Sequence, residues 1–251
     1  MKRLIFAIAA SLVAFAPLSA QESNKKEDKK IDRDGIELSS SGKTELKLHV
    51  AFPMYFGETA LLGVNYKGPW AGTEYGNFLD TKLYQNFVYN LEMAGLHMTS
   101  KKSPLIVSLG LRWSFMDFSL ANTSLTFDGS ESASPVIYLP SAITAAGYDG
   151  KKSKIHASYI GVPLRLAVKI GEKGKIFAGV AGEYLVKGYT KYRAPRTRTT
   201  TDTLFSPWRA SVEGGVSYAG VGIWVSYGLT PLFHPDCSDA RTLSFGLTLG
   251  L

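Results

Sequence analysis

Seven charged residues fall where an alternating strand turns its side chains to the polar side: Glu92, Arg112, Arg165, Lys169, Glu183, Arg209 and Glu213. Acids and bases gathered on one interior can neutralise each other as a structural network, or they can line an ion path. A lone buried charge costs several kcal/mol, so a narrow interior forces such groups to pair. The network is therefore the favoured expectation.

A second group is basic. Lys187, Lys191, Arg193, Arg196 and Arg198 are interleaved with Tyr189 and Tyr192. Cations beside phenol rings suit phosphate groups at an interface, and they also suit a solvated loop. A third group, His234, Asp236, Ser238 and Asp239, holds the residue types of a hydrolytic triad. Proximity in sequence does not make a triad, which is a matter of spatial geometry. The chain has no H-E-x-x-H, no G-x-S-x-G, no phosphate-cradling glycine loop and no clustered metal ligands. It is read as a non-enzyme without catalytic residues, metal or cofactor. Cys237 is the one cysteine, so no internal disulfide can form.

The elements that carry these groups show a period of two. In Thr242 to Leu251, Leu243, Phe245, Leu247, Leu249 and Leu251 share one face, and Thr, Ser and Gly fill the other. Its length suits a tilted strand crossing a bilayer, which takes about 9–11 residues. Seven further runs alternate in the same way. They centre on Leu46–Met54, Phe87–Met93, Leu105–Phe115, Ile160–Ile170, Ile176–Lys187, Trp208–Tyr218 and Val221–Leu229. The connections are short at Thr99–Pro104, Gly171–Gly174 and Ala219–Gly220. They are long at about Gly57–Leu83, Asp117–His156, Gly188–Pro207 and Thr230–Arg241.

Strict alternation of short and long connections predicts an all-β fold: an eight-stranded antiparallel transmembrane β-barrel with short periplasmic turns and long extracellular loops. A soluble barrel would reverse the faces, and the polar faces here are too small and polar to form its core. The last strand should close the ring against Thr44–Met54. The apolar Val136-Ile137-Tyr138-Leu139 in the second outer loop suits either a partner-docking patch or a β-extension above the membrane.

Met1 to Ala20 reads as a signal peptide cleaved after Ala20, with Lys2 and Arg3 before an apolar stretch. Residues 21–43 are charged and poor in apolar groups, which predicts a disordered periplasmic leader. The barrel domain is placed at 44–251. The net charge of +7 loses the two charges of Lys2 and Arg3 to become +5. That mild excess does not support nucleic-acid binding. Expected partners are outer-membrane lipid and lipopolysaccharide, with Lys191, Arg193, Arg196 and Arg198 as the lipopolysaccharide contact, together with the barrel-assembly machinery.

The run from Ser158 to Lys169, with Tyr159, Pro163 and Leu164, resembles the fourth-strand motif of the PorT-like outer-membrane β-barrel family of Bacteroidetes. The following Phe177-Ala-Gly-Val-Ala-Gly-Glu183 and the later Val221–Leu229 strand resemble that family as well. The family's arginine on strand seven is absent, and Trp224 and Val225 stand in that region. The resemblance implies an eight-stranded outer-membrane barrel. The expected role is structural or surface-interacting, with loops on a closed barrel without an open pore. Some members serve type IX protein secretion, so an accessory role there is an alternative. A small channel or a lipid-modifying enzyme is another.

Overall fold

The computed structural model describes residues 31–32, 35–41, 44–49, 53–100, 103–130, 133–137, 152–193 and 197–250. The signal-peptide reading, Arg196, and Tyr138 and Leu139 of the apolar Val136–Leu139 stretch lie outside the described residues. Eight strands form the ring: β1 (Met54–Leu62), β2 (Phe87–Ser100), β3 (Leu105–Ser119), β4 (Lys152–Ile170), β5 (Gly174–Arg193), β6 (Trp208–Tyr218), β7 (Val221–Gly228) and β8 (Arg241–Leu249). Each pairs antiparallel with its chain neighbours, and β8 pairs with β1 to close the ring. The described helical turns are three short 3-10 segments, and no described helix is long and apolar enough to cross a membrane.

Closure fixes the stagger. Val168 on β4 leads through its successive partners Ile176, Val216, Ile223, Leu247, Phe56, Tyr89 and Phe115. The path returns to β4 at Ser158, ten residues from where it began. A closed eight-stranded ring requires tilted strands and such an offset, and leaves an interior that side chains can fill. The β6–β7 turn needs only Ala219 and Gly220, both at positive φ, as tight hairpins favour.

Three expectations are corrected here. The first strand runs up to Leu62, so β8 pairs with Met54–Leu62 and not with Thr44–Met54. Thr44–His49 instead pairs with the periplasmic half of β2, from Gly95 to Ser100. Gly35–Ser41 forms a strand against Thr44–His49, within the segment expected to be disordered. Strict alternation along Ile176–Lys187 predicts Lys187 on the inner face with Gly179, Ala181 and Glu183, but a bulge between Leu185 and Lys187 shifts the register, and Lys187 is exposed. A second bulge, between Glu92 and Ala94, steps β2 in the same way.

The two sides of the wall change character along the strands. On β4, Leu164, Leu166, Val168 and Ile170 are exposed, while Gly161, Pro163 and Arg165 are buried. Nearer the outer end the order inverts. Lys152, Lys154 and His156 share the outward parity, and Ser153, Ile155, Ala157 and Tyr159 are buried. The change falls at a row of partners, Trp113, Ile160, Tyr184 and Trp208, of which the aromatic ones form a belt. Rings of this kind sit at the membrane–water interface. Below the belt the wall faces lipid; above it the barrel behaves as a soluble protein with an apolar inside.

Described residues of all four outer loops pack into that upper interior. Trp70 is fully buried. Its ring lies 5.1 Å from Phe78, 5.7 Å from Phe127 and 5.4 Å from Phe233. Phe233 in turn stacks on Phe205 at 5.8 Å. Backbone bonds tie the loops together, from Lys67 N–H to the Cys237 carbonyl at 2.8 Å and from His234 N–H to the Leu204 carbonyl at 3.0 Å.

Candidate functional site

Below the cap, six of the seven expected lumen charges meet. Arg112 donates from Nη1 to Glu213 Oε2 at 2.5 Å and from Nη2 to Glu183 Oε1 at 3.2 Å. Arg165 donates from Nε to Glu213 Oε1 at 2.5 Å and from Nη1 to Glu92 Oε2 at 2.6 Å. Arg209 donates to Glu183 Oε2 and to Thr242 Oγ1, both at 2.9 Å. Ser114 Oγ adds a bond to Glu183 Oε1 at 2.5 Å. Three arginines and three glutamates balance, which makes burial tolerable. Arg112 Nε, Arg165 Nη2 and Arg209 Nε find no protein acceptor, so ion pairing outweighs saturated hydrogen bonding here.

Lys169 does not join them. It is exposed near the periplasmic end of β4, opposite Lys175. Its parity is that of the lumen, but it sits four residues below Arg165, where it reaches solvent.

Small residues make room for the charges. A Cβ on Gly110 would lie 2.2 Å from Glu92 Oε1, and one on Gly161 would lie 2.5 Å from Glu183 Cγ. Pro163 lacks an N–H to donate to the ladder. The β3–β4 register accordingly lapses between Leu109/Leu164 and Arg112/Gly161, beside the place where Glu92 packs over Gly110.

Rings close the network from both ends. On the periplasmic side Tyr55 packs edge-on to Trp224 at 5.6 Å and to Phe177 at 6.5 Å, and Arg165 lies 4.9 Å over the Tyr55 ring. On the outer side Tyr159 donates its hydroxyl to the Ser206 carbonyl at 3.2 Å, with Arg209 5.9 Å over its ring. Tyr159 thus joins the charge layer to the base of the third loop. Alternation puts Trp224 on the inner face with Gly222 and Ser226, but nothing in the residue types marks Tyr55, Phe177 or Trp224 as a lower plug. Their type is that of a lipid face, and only parity separates the two.

The His234–Asp239 group does not assemble as a triad. His234 Nδ1 lies 3.5 Å from Asp236 Oδ2, and Ser238 is fully buried with its Oγ accepting the Ala240 N–H at 3.2 Å. Among the described residues no cluster of metal-ligating side chains occurs.

The expected basic contact divides. Lys191 and Arg193 are exposed on β5, and Arg198 lies on the neighbouring strand Thr197–Thr200 with its guanidinium 3.6 Å over the Tyr189 ring. Lys152, Lys154, His156 and Asp117 stand beside them. In the sequence these residues fall within or at the ends of the long Asp117–His156 connection, where the alternation of the lipid-facing strands is absent.

The solved structures of Neisserial surface protein A and of Ail from Yersinia pestis are 10% and 11% identical, with TM-scores of 0.36 and 0.32. The first covers 81% of this chain and 99% of its own; the second, 84% and 99%. LpxR from Salmonella typhimurium is 12% identical at a TM-score of 0.25, covering 83% of this chain and 88% of its own. No curated protein matches. A family model described as an outer membrane protein beta-barrel domain matches residues 107–234, just over half of the chain. The chain belongs to the outer membrane protein beta-barrel domain family, and its place is the outer membrane.

Proposed function

We propose that this protein is a closed surface scaffold: it holds a folded cap of four loops above the outer membrane for interaction and does not conduct solutes. One observation carries the proposal. The charge layer of Glu92, Arg112, Arg165, Glu183, Arg209 and Glu213 fills the lumen between an aromatic plug and the buried core of the cap. An interior just wide enough for side chains leaves no aqueous path once such groups are paired across it. Loops on a rigid barrel are where binding surfaces are built. Reconstitution in planar lipid bilayers tests this. The expected record is flat; large, stable conductance steps would overturn the closed scaffold.

The motif through Tyr159, Pro163 and Leu164 favours a narrower version, in which the cap docks secretion proteins as an accessory. Deleting the gene and measuring export, together with pull-down from solubilised outer membrane, tests that version by itself.

A further inference from the structure

The outward wall just above the aromatic belt carries a cleft of about 410 Å³, lined by Asp117, Lys152, Lys154, His156, Lys191 and Arg193 among others. Its charges are arranged against ordinary sheet practice. Lys152 is the direct partner of Arg193, and Lys154 is the direct partner of Lys191. Arg198 is the partner of Lys191 on the other side. Like charges directly opposite destabilise a sheet. Five cations therefore crowd three adjacent strands. Asp117 answers them with one carboxylate, held by His156 Nδ1 at 2.6 Å and 3.9 Å from Lys154 Nζ.

The cleft is also built with rings. His156 stacks on Tyr189 at 4.4 Å, Arg198 lies 3.6 Å over that same Tyr189 ring, and Lys154 sits 5.6 Å over Phe87. These contacts fix the floor, with Lys154 half-buried in it, and leave Lys152, Lys191 and Arg193 exposed at the rim.

Position decides what such a site faces. Asp117 lies four residues beyond Trp113 on β3, so the cleft stands about 10 Å above the belt for a tilted strand. It opens sideways, toward the headgroup layer around the barrel, because its residues share the outward parity of the lipid-facing wall below. Exposed Lys187 occupies the step between belt and cleft. A cationic surface at that height meets the phosphorylated headgroups of the outer leaflet.

We propose that this cleft binds the phosphates of an outer-leaflet glycolipid, a lipopolysaccharide, with Lys152, Lys154, Lys191 and Arg193 as the phosphate ligands and Arg198 as the outer edge. The sheet's repulsion is relieved when a shared anion bridges the facing pairs. This proposal does not depend on whether the lumen conducts.

The test uses the full-length protein refolded in detergent and titrated with diphosphorylated lipid A, with lipid A stripped of phosphate, and with inorganic phosphate. The variants are Lys154→Gln/Lys191→Gln and Lys152→Gln/Lys154→Gln/Lys191→Gln/Arg193→Gln, each checked for heat-modifiable folding. The expected result is tight binding of diphosphorylated lipid A, a loss of at least about tenfold in the fourfold variant, and weak binding of the stripped lipid. Asp117→Asn, which removes the competing carboxylate, should tighten binding several-fold. Should the fourfold variant not fold, the double variant gives the same comparison with a smaller loss. Equal binding by wild type and double variant overturns the site. Inorganic phosphate bound as tightly as the lipid overturns the glycolipid assignment.

Discussion

Arg112 and Glu213 are 101 residues apart in the chain and meet across the lumen at 2.5 Å. Glu213 also accepts from Arg165, so one carboxylate neutralises two buried guanidinium groups. Removing one partner of a buried pair is costly because the other charge stays behind uncompensated. Glu213→Ala should lower unfolding stability in urea by about 3–5 kcal/mol, the range for breaking one such pair. Glu172→Ala, in the exposed periplasmic turn, should change it by less than about 0.5 kcal/mol. Equal behaviour of the two variants would show that the lumen charges do not hold the barrel.

The layer also depends on space. A Cβ at Gly161 would meet Glu183 Cγ and the Gly182 carbonyl, each at 2.5 Å, whereas one at Gly182 meets nothing within 4 Å. Overpacking a filled interior costs about 1–3 kcal/mol. Gly161→Ala should therefore destabilise by about that amount, while Gly182→Ala, on the neighbouring strand and exposed, should be neutral or slightly stabilising. Urea titration of both in the same detergent separates lumen packing from strand propensity. If Gly182→Ala were the more damaging, the inward placement of Gly161 would be wrong.

Much of this was legible in the sequence, and the failures have physical causes. Parity found six of the seven lumen charges because period two is the one property every barrel strand keeps. It misjudged Lys169 because parity says nothing of depth. It misjudged Lys187 because a bulge at Val186 adds a residue without any residue type that announces it. The outer ends of β3, β4 and β5 were taken for loops for a different reason. Above the belt the barrel turns its apolar side inward, so Lys152, Lys154 and His156 broke the expected pattern while the strand continued. The same inversion hid the cap core, whose Trp70, Phe78 and Phe233 lie on irregular segments with no period to read. Phe52-Pro53-Met54 looked like the end of a strand, yet the wall resumes at Met54 and climbs to Leu62.

Cys237 reports on the cap. Burial pushes its thiol up to about 11, and nearby Asp236 adds to the effect. At pH 8 the thiol is protonated and enclosed, so a maleimide or disulfide reagent should label the native protein slowly and the urea-unfolded protein at once. Trp70→Ala, which removes the centre of the loop core, should speed native labelling at least about tenfold if the loops form one unit. The sign of the pH effect follows. The folded state holds the thiol proton more tightly, so this group's contribution falls as pH rises from about 8.5, the free thiol value, toward about 11. Cys237→Ala should flatten that part of the pH–stability curve. Rapid labelling of the native protein at pH 8 would mean that the cap is open.

Ring closure can be tested at one pair. Thr59 and Ser244 are direct partners across β1 and β8, and Ser244 Oγ donates to Thr59 Oγ1 at 2.9 Å. Cysteines at direct cross-strand positions come within reach of disulfide geometry. In a Cys237→Ser background, Thr59→Cys with Ser244→Cys should oxidise to an intramolecular bond in folded protein and shift its mobility on a non-reducing gel. His49→Cys with Ser244→Cys should not, because His49 pairs with Gly95 and lies on a segment that runs beside β2. Deleting 243–251 removes the strand that bonds to both β7 and β1, so that truncation should lose heat-modifiable folding altogether. A crosslink from position 49, or normal folding of the truncation, would place the seam of the barrel elsewhere.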